Sequence, residues 1–174
     1  LFEQPARVPA RLFPGANVEC EFAFRANRDL PYGEMPFTAS GIVDAIDLHL
    51  AVELTGSRFT ADTGGRQPGS FDTIADNGNG AGFVFGPAIR NWQGIAFETL
   101  AITPRIDNGP AIKAYQGEYR RDPVAVMAET LNDLAARGFV LSSGDYLSTG
   151  SLTEPTRIRQ GQTLMADFAS IGTM

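Results

Sequence analysis

The sequence has a single cysteine and a single histidine. One cysteine excludes an intrachain disulfide framework, and one histidine leaves no room for histidine-based metal or triad chemistry. A metal held by this chain must therefore sit on oxygen, which favours Mg2+, Mn2+ or Ca2+ over zinc or copper. Basic charge is also scarce: 14 Lys and Arg stand against 20 Asp and Glu, for a net charge of −6 and a pI near 4.7. Nucleic-acid affinity rests on clustered Lys and Arg, so this balance argues against a phosphate-backbone binder. No apolar run approaches the ~18 residues of a membrane span, and the glycine-rich stretches match neither a P-loop nor a dinucleotide fingerprint. The chain opens on Leu1 rather than Met, with neither a basic n-region nor an apolar h-region. The expectation is a cytoplasmic chain that is processed, or a fragment whose upstream residues are missing.

What is present suits one domain. The length of 174 residues supports a real core, and 43% apolar with 20% charged residues is ordinary globular composition. Pro and Gly punctuate the whole length without a repeat, a low-complexity tract or a shift in composition. Alternation marks strands. Over Val18–Arg25, Val18, Cys20, Phe22 and Phe24 share one face, and Glu19, Glu21, Ala23 and Arg25 the other. Gly82–Gly86 reads as a short buried strand, and Tyr146–Ser151 and Gln162–Phe168 as late ones. Phe97–Ile106 and Pro110–Tyr115 flank Asp107-Asn108-Gly109, whose Asn-Gly is a hairpin signal.

Two helices are expected. One spans Ala39–His49 behind Thr38, with Ile42, Val43, Ile46 and Leu50 along a stripe. The other starts at the cap Asp122 with Pro123 in its first position. It presents Val126, Met127, Leu131 and Leu134 and stops at Gly138. A helical turn is also possible at Ser70–Ala75. The fold class is thus α+β, mainly β, with a few covering helices.

Glu19 and Glu21 stand at i and i+2 of a strand, so their carboxylates lie side by side. Such a pair is either a solvated strand face or half of a cation site. Glu53 lies in the apolar run His49–Leu54, where a carboxylate must be protonated, paired or on a metal. It pairs with Arg58, or it completes a three-oxygen set with Glu19 and Glu21. Arg58 is then a surface cation or a partner of these carboxylates. Asp76 and Asn77 sit in a turn sequence. Thr149-Gly150-Ser151 sets a hydroxyl on each side of a glycine, a turn able to offer backbone N–H groups to an anion. His49 is expected to be a satisfied or partly exposed helix-end residue, Cys20 an inert core thiol, and Trp92 a packing residue.

In order along the chain, several segments resemble the fumarylacetoacetate hydrolase superfamily, in its 2-keto-4-pentenoate hydratase / 2-oxo-3-hexenedioate decarboxylase branch. They are Val18-Glu19-Cys20-Glu21-Phe22-Ala23-Phe24, His49-Leu50-Ala51-Val52-Glu53, Ser57-Arg58-Phe59, Ile74-Ala75-Asp76-Asn77 and Gly82–Gly86. The helix Asp122–Gly138, Ser143-Gly144-Asp145, Thr149-Gly150-Ser151-Leu152-Thr153 and Gly161–Phe168 complete the set. The resemblance implies a mixed β-roll and Mg2+ or Mn2+ on Glu19, Glu21 and Glu53. It also implies substrate contacts at Thr149 and Gly150, with Ser151 beside them; Arg58, Asp76 and Asn77 are expected only as outer partners of the carboxylates.

The activity implied is that of a lyase on a small 2-oxo acid of aromatic catabolism. Hydration of 2-hydroxypenta-2,4-dienoate comes first and decarboxylation of 2-oxo-3-hexenedioate second. Acylpyruvate-type C–C hydrolysis is disfavoured, because no Lys precedes Phe71-Asp72-Thr73. A homo-oligomer, or a hydratase–decarboxylase complex, is implied as the assembly. Hydratase-type members carry a catalytic Lys in a segment before Glu-x-Glu, and the eighteen residues before Glu19 hold none. The resemblance therefore places that Lys upstream of Leu1 and leaves residues 1–174 as the metal-binding domain. A non-catalytic 2-oxo-acid-binding or assembly subunit is the alternative from another class.

Overall fold

A computed structural model describes residues 1–59 and 69–174. Its elements are β1 (Phe2–Glu3), β2 (Asn17–Ala26), α1 (Ala39–Ile42), β3 (Ile46–Thr55), α2 (Ser70–Ala75), β4 (Gly80–Ile89), β5 (Arg105–Ile106), α3 (Pro123–Ala136), β6 (Tyr146–Ser151), β7 (Thr156–Arg157) and β8 (Leu164–Met165). Five strands run in the order β1-β4-β3-β2-β6, β7 pairs with β2 beside them, and β5 and β8 form a separate small ladder. The β1–β4 contact is parallel and the others in the main sheet antiparallel, so the sheet is mixed. The architecture is the expected α+β, mainly-β one.

The centre of the sheet follows from two alternating strands in register. β2 and β3 pair over ten residues, from Asn17 opposite Thr55 to Ala26 opposite Ile46. Directly opposite residues of an antiparallel pair share a face. One face therefore carries Val18, Cys20, Phe22 and Phe24 from β2 with Leu54, Val52, Leu50 and Leu48 from β3. The inner part of this face, Cys20 to Phe24 and Leu50 to Leu48, joins the main core, where it meets Met127 and Leu131 of α3, Trp92, Phe97 and Phe168. Val18, Val52 and Leu54 form a smaller cluster with Ala16 and Val84. Phe22 and Phe24 are fully buried. At about 25 cal/mol per Å2 of apolar area, burying each such ring contributes about 2 to 3 kcal/mol. The core thus holds the opposite face of β2 and β3 in a fixed register.

α3 is built as expected. The Asp122 carboxylate accepts from the Val124 N–H, Pro123 takes the first turn, and Gly138 closes the helix at φ +91°. Its buried side chains are Val124, Met127, Ala128, Leu131 and Ala135, while Val126 and Leu134 sit at the margin of the stripe. The Ser70–Ala75 turn forms as α2.

Two expectations are corrected. The helix expected over Ala39–His49 stops after one turn at Ile42, with Thr38 capping Gly41 N–H. A 3-10 turn at Val43–Ala45 then delivers the chain into β3. Ile42, Val43, Ile46 and Leu50 fit a helical stripe, but Ile46, Leu48, Leu50, Val52 and Leu54 fit a strand equally well. β2 on one side and β4 on the other supply the ladders that decide for the strand. The hairpin strands expected around Asp107-Asn108-Gly109 shrink to Arg105–Ile106 and a single bridge from Arg105 to Ala111, although the turn itself closes through Gly109 N–H to Ile106 carbonyl. The late strand at Gln162–Phe168 is likewise only Leu164–Met165. In both segments, short pairings and turns satisfy backbone groups that a long ladder was expected to hold.

Candidate metal centre

The second face of β2 and β3 carries the polar residues. Glu19 stands directly opposite Glu53, and Glu21, two residues on, stands opposite Ala51. This register brings together three carboxylates that lie far apart in sequence: one oxygen from each of Glu19, Glu21 and Glu53 falls within 4.8 Å of the others. For two full charges 4.8 Å apart in an effective dielectric of 20, Coulomb's law gives a repulsion of about 3.5 kcal/mol.

Burial sharpens the conflict. Glu21 is only 3% exposed. Loss of solvation, then the charges of Glu53 and Glu19, push its carboxyl up to about 8 from an ordinary value of 4.5. Burial, then Glu19, pushes the Glu53 carboxyl up as well. Among the described residues no Lys or Arg forms an ion pair with any of the three. The chain's one lysine, Lys113, is exposed and bound to Glu154. Hydroxyls approach instead: Thr55 Oγ1 donates to Glu19 Oε1 at 3.1 Å, and Ser148 Oγ donates to Glu21 Oε2. Three converging carboxylates without a cationic partner among the described residues are a hard-oxygen donor set that fits Mg2+, Mn2+ or Ca2+.

Arg58 does not pair with Glu53. Its guanidinium bonds the Asp76 carboxylate at 3.0 Å, the Asp76 carbonyl at 2.8 Å and the Gly80 carbonyl at 2.6 Å. Asp76 is buried and accepts also from the Arg58 N–H and the Ser57 hydroxyl; the Arg58 N–H first, then the Arg58 guanidinium and Ser57, hold its carboxyl below the usual range. Asn77 Nδ2 reaches the same Gly80 carbonyl at 3.2 Å. These residues therefore brace the start of β4 around Gly80. A Cβ at Gly80 would stand 3.0 Å from Glu53 Oε1, so glycine is what lets Glu53 lie against that turn. Arg58, Asp76 and Asn77 meet the carboxylates through the backbone of Gly80 and not through an ion pair.

Thr149, Gly150 and Ser151 lie on β6 beside Glu21, with Ser151 opposite it in register and a bulge before Ser148 pairs with Ala23. Gly150 adopts φ +98°, the left-handed region that favours glycine, and a Cβ there would meet nothing within 4 Å. The two flanking hydroxyls are used locally: Thr149 Oγ1 donates to the Phe22 carbonyl and Ser151 Oγ to the Thr153 carbonyl. The hydroxyl that reaches the carboxylates belongs to Ser148, which sequence reasoning missed. Its signal lay in the polar character of Tyr146–Ser151, but the bulge sets its position, and no spacing rule would have found that.

His49 is the other correction. It is not at a helix end; it sits mid-strand in β3, buried at 6% exposure, on the glutamate face and opposite Ala23. Cys20 behaves as expected: it is buried on the core face and its thiol is pushed up to about 12, chiefly by burial. Trp92 packs in the core against Phe24, with ring centroids 5.3 Å apart.

No known protein-family model matches the chain. Solved structures do. 4-Oxalocrotonate decarboxylase from Pseudomonas putida G7, complexed with magnesium and adipate, superposes with a TM-score of 0.81 at 20% identity, over 99% of this chain and 64% of that one. The 5-carboxymethyl-2-hydroxymuconate delta-isomerase from Mycobacterium smegmatis gives 0.65 at 16% identity, over 98% and 61%. The chain shares the fold of these enzymes. The 2-hydroxyhepta-2,4-diene-1,7-dioate isomerase from Mycobacterium marinum superposes with a TM-score of 0.62 at 17% identity, over 99% of this chain and 59% of that one. This chain thus spans somewhat under two thirds of the length of these three proteins. No helix among the described residues is long and apolar enough to cross a membrane.

Proposed function

We propose that this chain is the metal-binding part of a divalent-cation-dependent lyase acting on a small 2-oxo acid. One observation carries the reading: Glu19, Glu21 and Glu53 converge within 4.8 Å without a cationic partner among the described residues. The fold shared with 4-oxalocrotonate decarboxylase supports it, as does the magnesium held by that enzyme. When bound, the cation supplies Lewis-acid stabilisation of negative charge at the 2-oxo carboxylate end of the substrate.

The chain's own residues do the rest. Glu19, Glu21 and Glu53 would provide the anionic cradle. Ser148 and Thr55 donate to two of these carboxylates and fix their orientation, as outer partners of a metal site do. Gly150, with open space before its Cα, and its neighbours Thr149 and Ser151 offer backbone N–H groups to the substrate's carboxylate end. Hydration of 2-hydroxypenta-2,4-dienoate is the first reading of the reaction. Decarboxylation of 2-oxo-3-hexenedioate is the second, favoured by the similarity to 4-oxalocrotonate decarboxylase. The assembly is proposed to be a homo-oligomer, or a hydratase–decarboxylase complex, in the cytoplasm.

The test is an assay of the full-length protein with Mg2+ on both acids, following loss of the dienol or release of CO2. The expected outcome is turnover of one of them that stops on chelation and returns with Mg2+ or Mn2+. Absence of turnover on both, in metal-loaded protein, would overturn the lyase reading.

A further inference from the structure

The glutamate face is closed on one side of the carboxylates and open on the other. Past Glu21, Ala23 and Ala51 are fully buried and His49 is almost so, which shuts the face towards the far end of β2. Arg25, the arginine of β2, lies beyond this closed stretch and is cut off from the carboxylates. In the other direction burial falls away. Glu21 is buried, Glu19 and Glu53 are half-buried, and Asn17, next on the same face of β2, is half-buried as well. The site therefore opens towards the first residue of β2.

Arg157 stands at that opening. β7 pairs with the start of β2 and sets Arg157 directly opposite Asn17. Opposed residues share a face, and Glu19, two residues along, is then a diagonal neighbour of Arg157 at about 7 to 8 Å between Cα atoms. The side chain is exposed, and among the described residues its guanidinium has neither an ion pair nor a hydrogen bond. It lies against Gly15, where a Cβ would stand 2.8 Å from Nη1. Gly15 has φ +80°, a conformation that favours glycine, so the same residue makes the turn into β2 and leaves room for the guanidinium.

We propose that Arg157 receives the second carboxylate of a 2-oxo diacid whose 2-oxo end is held at Glu19, Glu21 and Glu53, and so selects diacids over monoacids of equal length. The inference rests on the 2-oxo-acid reading above and assigns the residue that tells its two substrates apart: 2-oxo-3-hexenedioate carries a second carboxylate and 2-hydroxypenta-2,4-dienoate does not. The closed stretch past Glu21 leaves the substrate's chain one way out, along β2 towards Asn17. The lengths agree. With C–C bonds of about 1.5 Å, an extended six-carbon diacid spans about 6 to 7 Å between its carboxyl carbons. Along β2, about 7 Å separates the level of Glu19 from that of Asn17 and Arg157. A guanidinium presents parallel N–H donors that match one carboxylate, and no carboxylate among the described residues occupies this one.

The test compares 2-oxohexanedioate with 2-oxohexanoate as ligands of the whole chain in Mg2+, by calorimetry. The diacid is expected to bind about tenfold tighter. Arg157→Gln is expected to erase the difference with 2-oxohexanoate binding unchanged, and Arg157→Lys, which keeps the charge without the fork, to retain part of it. Binding of 2-oxohexanoate reports on the 2-oxo-acid reading and shows that a variant is folded; the ratio of the two affinities reports on Arg157. Equal affinities in the unaltered protein, or a preference that survives in Arg157→Gln, would overturn the inference alone. Failure of both acids to bind would overturn the reading beneath it and the inference together.

Discussion

Glu21→Ala is expected to weaken Mg2+ binding by at least about a hundredfold, since even the loss of an outer partner of a metal ligand costs ten- to a hundredfold. The three carboxylates do not contribute equally. Glu21 is the one buried at 3% exposure, and it is pressed by both other charges and fixed by the Ser148 hydroxyl. Folding should change little in the metal-free protein. Removing Glu21 takes away contacts and leaves Ser148 without its acceptor, but above about pH 8, where the carboxyl is ionised, it also relieves the repulsion with Glu19 and Glu53. Glu21→Gln separates the two effects, because it keeps the size and an acceptor for Ser148 while discarding the charge. Calorimetric Mg2+ titrations and melting curves on the same samples check this. Unchanged Mg2+ affinity in both variants would remove Glu21 from the site.

The second large effect is a dependence of Mg2+ affinity on pH. The Glu21 carboxyl sits at about 8 in the folded chain against an ordinary value of 4.5. Between these two values the folded state keeps a proton that the unfolded state has released. Stability from this group is therefore fully present below about 4.5 and falls as pH rises through that window. Glu53 is shifted in the same direction. A cation needs the carboxylate and displaces the proton. Its affinity should climb by up to about tenfold per pH unit from pH 6 and level off above about 8. Near pH 7 each bound Mg2+ should release about one proton, seen as a binding heat that varies with the ionisation enthalpy of the buffer. Affinity that is flat from pH 6 to 8 would show that the carboxylates are already ionised and held apart.

The strands that carry the glutamates were legible because their alternation is strong. In β2 the apolar and polar sets separate cleanly, and Glu-x-Glu on a strand must put two carboxylates on one face. The third carboxylate was legible only as a problem: Glu53 in an apolar run needs something, but sequence spacing does not say what. Its partner was decided by the β2–β3 register, and the competing Arg58 pairing was lost to Asp76 across a turn. His49 was misplaced for a related reason. The stripe Ile42, Val43, Ile46 and Leu50 satisfies a helix as well as the strand that formed, and only the flanking ladders break the tie. Ser148 was missed because a bulge sets its position, and bulges leave little trace in composition. α3, by contrast, announces both of its ends through Asp122-Pro123 and Gly138, where the local chemistry alone suffices.

The most direct test is a titration of the chain with Mn2+ followed by electron paramagnetic resonance. The expected result is one saturable site per chain, displaced by Mg2+, lost in Glu21→Gln and in Glu53→Gln, and altered in spectrum when a 2-oxo acid is added. Absence of a saturable site, or a site that survives both substitutions, would contradict the assignment of Glu19, Glu21 and Glu53 as the metal centre.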